Sequence, residues 1–353
     1  MLTRTHPLVN ELQQVFPRVR FQERLVPYTT MAVGGPADIL VEARTVDQIH
    51  QGVALCAKAG VPFFLLGGGS NVIFSDAGFR GVVIRNMAEK FEILAETPKD
   101  GPLAATAEPA RFTPPDFSIK PEKNASGASP VLVRVSSGAR LMPLIKQLFV
   151  QGITGLEWFA GIPATVGGAI FMNLHGGPYF FGDLVYRASL YHNGRFKTVN
   201  REYFRFGYDW SILHETREIV LQADLLLQRG QVQQARQWVK TWAQYKSNQP
   251  QRSAGCIFQN LSPEQQQRLN LPTSSVGYVI DRMLGLKGLQ IGGARIAPSH
   301  AAFIENLGDA TAADILALIE TVQTAARDKL GFELVLEVEL VGFDQTSEIA
   351  AGR

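Results

Sequence analysis

Two glycine-rich stretches carry most of the chemistry that this chain of 353 residues can offer. In Leu65-Leu66-Gly67-Gly68-Gly69-Ser70-Asn71-Val72 an apolar run of strand length enters three consecutive glycines. Such a turn leaves several backbone N–H groups bare in a concavity, and Ser70 and Asn71 add side-chain donors. A pyrophosphate needs this arrangement where no dinucleotide-binding helix serves it. Gly161-Ile162-Pro163-Ala164-Thr165-Val166-Gly167-Gly168-Ala169 is a second loop of the same kind, with Thr165 as a hydroxyl ligand. Turn chemistry explains either loop alone, but the pair favours a ligand. The common alternatives fail. No G-x-G-x-x-G follows a strand, and no G-x-x-x-x-G-K-[ST] occurs. With two distant cysteines, Cys56 and Cys256, and six scattered histidines without H-x-x-x-H, no metal site and no disulfide framework are expected.

The elements that must hold these loops read as a mixture of strands and helices. Residues 39–42 form a short strand; Thr45 and Gln48 make a capping box, and Ile49, Val53 and Cys56 carry a helical apolar stripe that ends at Gly60. Residues 62–66, 82–84 and 131–135 read as buried strands, and Leu141, Leu144, Ile145, Leu148 and Phe149 as a helix closed by Gly152. Residues 96–130, with seven prolines, read as an inserted flexible surface loop. In the Gln- and Arg-rich stretch 229–251, Val232, Ala235, Val239 and Trp242 predict an amphipathic helix leading into a new unit. That unit closes with a helix started by Thr311 and Asp314 and stopped by Gly331. A strand follows, with Leu334, Leu336, Val338 and Leu340 on one face and Glu333, Val335, Glu337 and Glu339 on the other. The class is α+β.

Composition narrows the partners. Lys plus Arg number 34 and Asp plus Glu 32, so a net charge of +2 gives no electrostatic reason for a nucleic-acid or membrane partner. At 46% hydrophobic and 19% charged, the chain is a globular, enzyme-sized protein rather than a disordered one. The first residues lack an apolar run of signal-peptide length, and glycines and prolines interrupt the uncharged run 158–181. A soluble cytoplasmic protein is expected.

Taken together, the motifs resemble the UDP-N-acetylenolpyruvoylglucosamine reductase family, flavoenzymes of peptidoglycan precursor synthesis. The matching segments are Thr29-Thr30-Met31-Ala32-Val33-Gly34-Gly35-Pro36-Ala37, the GGGSN loop, Gly155-Leu156-Glu157 with GIPATVGGA, and Ser253-Ala254-Gly255-Cys256-Ile257-Phe258-Gln259-Asn260. Gly285-Leu286-Lys287-Gly288, Ile291-Gly292-Gly293-Ala294 and Leu336-Glu337-Val338 complete the series, in the family's order and over nearly the whole chain. The pattern is closer to the shorter, second type. The resemblance implies an FAD-binding module of the vanillyl-alcohol-oxidase (PCMH) type over residues 1–229. A smaller C-terminal α+β substrate-binding domain would span 230–333, and a last strand in 334–353 would return to the first subdomain. It implies FAD and NADPH as cofactors, a UDP-sugar as substrate, and a monomer. The FAD would be held by Gly67, Gly68, Gly69, Ser70, Asn71, Gly161, Ile162, Pro163, Thr165, Gly167, Gly168 and Asn173, and the substrate by Asn260 and Lys287.

In the family's reaction a hydride reaches the terminal methylene carbon of an enolpyruvyl UDP-sugar, negative charge develops on the carboxylate side, and an acid protonates the neighbouring carbon. Resemblance gives the catalytic carboxyl to Glu337, the proton donor to Cys256 and a further catalytic role to Tyr208, although core packing explains Tyr208 almost as well. Three departures stand out. Cys256 replaces the family serine; a free thiol, with a pKa of roughly 8.5, still carries a transferable proton. Asp209 in Phe206-Gly207-Tyr208-Asp209-Trp210-Ser211 replaces the arginine that grips the substrate carboxylate. Two carboxylates about 4 Å apart repel by about 1 kcal/mol in water and more in a drier cleft. Finally, Asn173-Leu174-His175-Gly176-Gly177 is two residues shorter than the family's N-x-G-A-[HY]-G. The pocket has also lost charge at Gln259 and Glu339. Two other readings follow from these losses: a related FAD enzyme acting on a UDP-sugar without the enolpyruvyl carboxylate, and a non-catalytic flavin- or nucleotide-binding paralogue.

Overall fold

The computed structural model describes residues 2–94 and 129–343. Of the expected 96–130 insertion, only Ser129 and Pro130 fall among them, and these open a strand; the rest lies outside the described residues.

The first subdomain is a four-stranded sheet in the order Val19–Arg24, Pro36–Ala43, Phe79–Asn86, Phe63–Leu66. The first pair is antiparallel and the other two are parallel, so the C-terminal ends of Phe63–Leu66 and Phe79–Asn86 point the same way. Helices Pro7–Val15 and Val46–Lys58 cover one face, burying Leu8, Leu12, Ile49, Val53 and Cys56 against Ile39, Val41, Val82 and Ile84. Thr45 caps the second helix by accepting from the Gln48 N–H at 3.2 Å. The reciprocal half of the expected box is displaced by one residue, because the Gln48 side chain accepts from the Arg44 N–H instead.

The second subdomain is an antiparallel sheet in the order Arg195–Asn200, Val185–His192, Ile219–Arg229, Ser129–Ser136, Phe91–Ile93. Helix Leu141–Val150 packs on it with all five expected apolar positions buried, and Gly152 follows with φ +74°. The helix expected in 229–251 is present as Val232–Lys246. It does not pack on the C-terminal unit: Ala235, Trp238, Val239 and Trp242 are buried with Trp158 in the core of this second subdomain. The Trp158 ring lies 4.5 Å from Trp238 and 5.3 Å from Trp242. Truncating a buried tryptophan of this kind to alanine costs about 3–5 kcal/mol.

The core of the C-terminal unit, from Ala254 to Leu340, surrounds a three-stranded sheet (Gln290–Ile291, Ala294–Ile296, Ile304–Asn306) and helix Ala312–Leu330, and it also takes in Met31, Val33 and Ile73 from the first subdomain. That helix carries the expected Thr311–Asp314 capping box and the Gly331 stop. Its first N–H groups, on Ala312 and Ala313, also donate to the Asp76 carboxylate at 2.9 Å, so a charge from the first subdomain meets the positive helix end. Asn306 donates to the Met31 and Ala32 carbonyls, and Thr30 to that of Ser253, fastening the same seam. The closing strand is shorter than its alternation predicts. Only Glu339–Val341 pairs in a ladder, parallel to Val72–Phe74, which takes the chain back to the first subdomain. Upstream, residues 334–338 stay extended with one bridge, Phe258 to Leu336, because their neighbour is the 256–260 loop rather than a strand. No helix among the described residues is long and apolar enough to cross a membrane.

Candidate active site

All three units meet at one cleft of about 2210 Å³. One wall is made by the two glycine loops, which interlock. An added Cβ at Gly67 would lie 2.7 Å from Thr165 Oγ1, at Gly68 2.4 Å from the Pro163 carbonyl oxygen, and at Gly69 2.0 Å from that of Tyr28. Gly69 also has φ +65°, where L side chains are strained. Gly68 and Gly69 are therefore demanded by backbone-to-backbone contact, and Gly67 by the close approach of the Thr165 side chain.

The loops contribute differently. The N–H of Gly167 donates to the Ser137 carbonyl at 2.7 Å and that of Gly168 to Thr165 Oγ1 at 3.3 Å. These donors are occupied within the protein, so Gly167 and Gly168 shape the wall rather than present free N–H groups. Gly68, Gly69 and Ser70, by contrast, donate their backbone N–H to no protein acceptor among the described residues. Asn71 faces the cleft, but its side-chain amide donates to the Glu337 carbonyl at 3.0 Å, and its own carbonyl accepts from the Glu339 N–H at 3.0 Å. It ties the glycine loop to the returning chain, a role its type alone does not reveal. Gly161, Ile162, Pro163 and Thr165 line the same wall. A bare, backbone-built cradle with open N–H groups fits the pyrophosphate of a dinucleotide cofactor.

Asn173 departs from its expected place. It is buried at 3% exposure behind the cleft wall, donating to the Gly207 carbonyl at 2.7 Å and accepting from the Gly182 N–H at 2.9 Å. Its amide is spent on holding two loops together. Lys287 is likewise absent from the cleft lining; its ammonium pairs with Asp281 at 2.7 Å.

The opposite wall brings together Cys256, Glu337, Tyr208 and Asn260. The Glu337 N–H donates to the Ile257 carbonyl, which sets its carboxyl beside the Cys256 loop. Burial, reinforced by the charge of Asp209, raises the Glu337 pKa well above its ordinary value, which favours the neutral acid. Burial also pushes the Cys256 thiol up, with Glu337 and Asp209 adding to it and Lys246 opposing, which keeps it a thiol rather than a thiolate. The Tyr208 phenol is raised by burial and then by Asp209 and Glu337. Asn260 donates to the Tyr208 hydroxyl oxygen at 2.8 Å, leaving the phenolic proton available to another acceptor. Three proton-bearing groups thus converge, each stabilised in its protonated form.

Two further residues of this wall were not singled out by sequence. Lys246, on the last turn of helix Val232–Lys246, reaches the cleft with its pKa lowered by burial, and His300 lies in the same lining, lowered by burial and then by Lys246. Neither sits in a recognisable motif, and only the docking of that helix on the second subdomain brings Lys246 in. Arg217 also lines the cleft, where it pairs with Glu339 at 3.3 Å.

Comparison with known proteins agrees with this architecture. Residues 247–341 match the family model described as UDP-N-acetylenolpyruvoylglucosamine reductase, C-terminal domain. The chain is 34% identical over 341 residues to UDP-N-acetylenolpyruvoylglucosamine reductase 1 of Bacillus anthracis, covering 95% of this chain and 99% of that protein. It is 32% identical to the Rubrobacter xylanophilus reductase, covering 94% and 98%. The crystal structure of the Thermus caldophilus enzyme superposes with a TM-score of 0.65 at 29% identity, covering 92% of this chain and 98% of that one. The fold is therefore that of the reductase family, an α+β protein with a smaller C-terminal α+β domain. The chain belongs to the UDP-N-acetylenolpyruvoylglucosamine reductase family of flavin-dependent oxidoreductases.

Proposed function

We propose that the protein reduces UDP-N-acetylglucosamine enolpyruvate to UDP-N-acetylmuramate, with NADPH as reductant and FAD as the bound cofactor, as a cytoplasmic, monomeric enzyme of peptidoglycan precursor synthesis. The observation that carries the reading is the convergence of Glu337, Cys256 and Tyr208 in protonated form on the cleft whose other wall is the bare glycine cradle.

Gly68, Gly69 and Ser70 would hold the cofactor pyrophosphate through backbone N–H groups, with Gly161, Ile162, Pro163 and Thr165 closing the cradle. When bound, FAD supplies hydride transfer in two halves, from NADPH and then to the substrate's methylene carbon. The protein's own residues handle charge and protons. The neutral Glu337 carboxyl donates a hydrogen bond to the oxygen on which negative charge develops, and does so without adding a charge of its own. The Cys256 Sγ–H delivers the proton to the neighbouring carbon. Its raised pKa makes it a weak acid, but it guarantees that the proton is present at neutral pH. Tyr208, oriented by Asn260, offers a further donor to the substrate. Lys246 brings positive charge to a cleft that would take a sugar diphosphate.

The test is anaerobic. Purified flavoprotein is reduced with NADPH, then mixed with the enolpyruvyl UDP-sugar while flavin absorbance is followed. Rapid return of the oxidised spectrum, absent with UDP-N-acetylglucosamine, is expected. A spectrum that ignores the enolpyruvyl compound but recovers in air would overturn the reading in favour of a flavoenzyme for another UDP-sugar.

A further inference from the structure

Asp209 is the least expected group in the cleft. It is 3% exposed, lines the cavity beside Glu337, and adopts φ +46° in a turn closed by the Gly207 N–H donating to the Trp210 carbonyl at 3.0 Å. A carboxylate here repels any anionic group of a substrate, so its presence needs a physical account. Neither nearby arginine supplies one. The Arg201 guanidinium donates to the Gly182 carbonyl at 2.9 Å and to Asp183 at 2.7 Å, and Arg205 is not part of the cleft lining.

His175 supplies it. Its Nδ1 lies 2.8 Å from Asp209 Oδ1, its side chain is 39% exposed, and it lines the cleft. The Tyr208 ring stacks on the imidazole at 5.6 Å with an interplanar angle of 23°. The residue arrives here because the loop after Asn173 is short: His175–Gly176 pairs directly with Tyr179–Phe180, and Asn173 binds the Gly207 carbonyl, which draws the two turns together. The missing residues before His175 and the reversed charge at Asp209 are therefore one spatial change rather than two.

We propose that His175, held by Asp209, is the clamp for the carboxylate of an anionic sugar-nucleotide substrate, in the place of the arginine in the family pattern. The proposal rests on the reductase reading above. In this pairing the Asp209 carboxyl oxygen accepts from Nδ1–H, and Nε2 is the atom left for a ligand. Held at Nδ1 by Asp209 and stacked on by the Tyr208 ring, the imidazole is fixed in orientation, with its Nε2 turned to the substrate carboxylate as a donor. Asp209 is then a positioning residue: its carboxylate is spent on orienting the imidazole through Nδ1. The specificity is for a carboxylate that a small planar donor can reach, not for the bidentate geometry an arginine imposes.

Flavin-loaded wild-type enzyme and three variants, His175→Gln, His175→Lys and Asp209→Asn, are titrated by calorimetry with the enolpyruvyl UDP-sugar and with UDP-N-acetylglucosamine, which lacks the carboxylate. The readout is the ratio of the two affinities. His175→Gln is expected to cut the preference for the carboxylate compound on the order of ten- to a hundredfold, the range for a hydrogen bond to a charged group, with affinity for UDP-N-acetylglucosamine unchanged. His175→Lys, which still offers a donor to the carboxylate, is expected to retain most of the preference, and Asp209→Asn, which keeps an acceptor for Nδ1 but weakens the hold on the ring, to fall between. Should Asp209→Asn not fold, the His175 pair decides alone, since its exposed side chain is not part of a core. A wild-type preference that His175→Gln leaves intact overturns the clamp and spares the reductase reading. A wild-type enzyme without any preference overturns both.

Discussion

The two walls of the cleft are built on different principles. The cofactor wall is backbone-built: a single added carbon would collide with the Pro163 backbone at Gly68, with the Tyr28 backbone at Gly69 and with the Thr165 side chain at Gly67. The substrate wall is side chain against side chain: Glu337 and Asp209 help hold Cys256 and Tyr208 in protonated form, Asp209 does the same for Glu337, and Asp209 also grips His175. A wall of the first kind tolerates almost no substitution. One of the second kind can exchange a residue if a neighbour restores the charge balance. This chain shows both behaviours, with an unaltered GGGSN loop facing a substrate wall in which serine, arginine and loop length have all changed.

Breaking the rigid wall should have the largest effect. Gly69→Ala forces a Cβ to 2.0 Å from the Tyr28 carbonyl oxygen at a backbone φ of +65°. Strain at such a position costs about 1–3 kcal/mol, and overpacking about as much again. The variant is expected to purify without flavin, or to lose it on gel filtration, with a clearly lowered Tm. Full flavin content in Gly69→Ala would mean that the loop can move and that the contrast between the walls is false.

On the adaptable wall, Glu337→Gln keeps the shape and removes the acid. It is expected to slow the substrate half-reaction by on the order of 10²–10⁴ while flavin reduction by NADPH continues at the wild-type rate. The pH dependence has a definite sign. Because burial and Asp209 raise the Glu337 pKa, the active acid form persists to higher pH than in an ordinary carboxylic acid, and the rate declines as pH rises through that raised value. A wild-type rate that instead rises with pH would show Glu337 acting as a base. Cys256→Ser should be milder, within about tenfold of wild type, since a hydroxyl also carries a transferable proton. A thousandfold loss would mean that the thiol does something a hydroxyl cannot.

The difference between the walls also explains what was legible in the sequence. Consecutive glycines after a strand announce a backbone-built loop, and the Thr311–Asp314 box and the apolar stripe of Leu141–Val150 announce their helices, because all of these depend on local spacing. What Asn71, Asn173 and Lys246 do is not legible in the sequence, because it depends on partners far along the chain. Asn71 reaches Glu337, Asn173 reaches Gly207, and Lys246 arrives only through helix Val232–Lys246 packing its tryptophans under Trp158. The closing strand is shorter than its alternation predicts for a similar reason. Its alternation of apolar and polar residues is real, but a ladder needs a neighbouring strand, and only residues 339–341 have one. Asp209 and His175 each looked like a defect in isolation, and only their 2.8 Å contact turns the two departures into a pair.

Lys287 offers the finest test of where the adaptable wall ends. Its motif, Gly285-Leu286-Lys287-Gly288, suggests a hand on the sugar nucleotide, yet its ammonium pairs with Asp281 and does not line the cleft. Lys287 also gives Asp281 a lowered pKa, chiefly through that hydrogen bond, which marks the pair as a local tie at the end of the 279–284 helical turn. Exposed pairs of this kind contribute little, so Lys287→Ala should leave Tm nearly unchanged. If the substrate wall is limited to the residues that now face the cleft, KM for the enolpyruvyl UDP-sugar should also stay within about twofold, since no interaction with the transition state has been removed. A tenfold rise in KM at constant kcat would show that the C-terminal unit turns its 285–288 loop toward the bound nucleotide. The boundary between the walls would then be set by closure on the substrate rather than by the fold at rest.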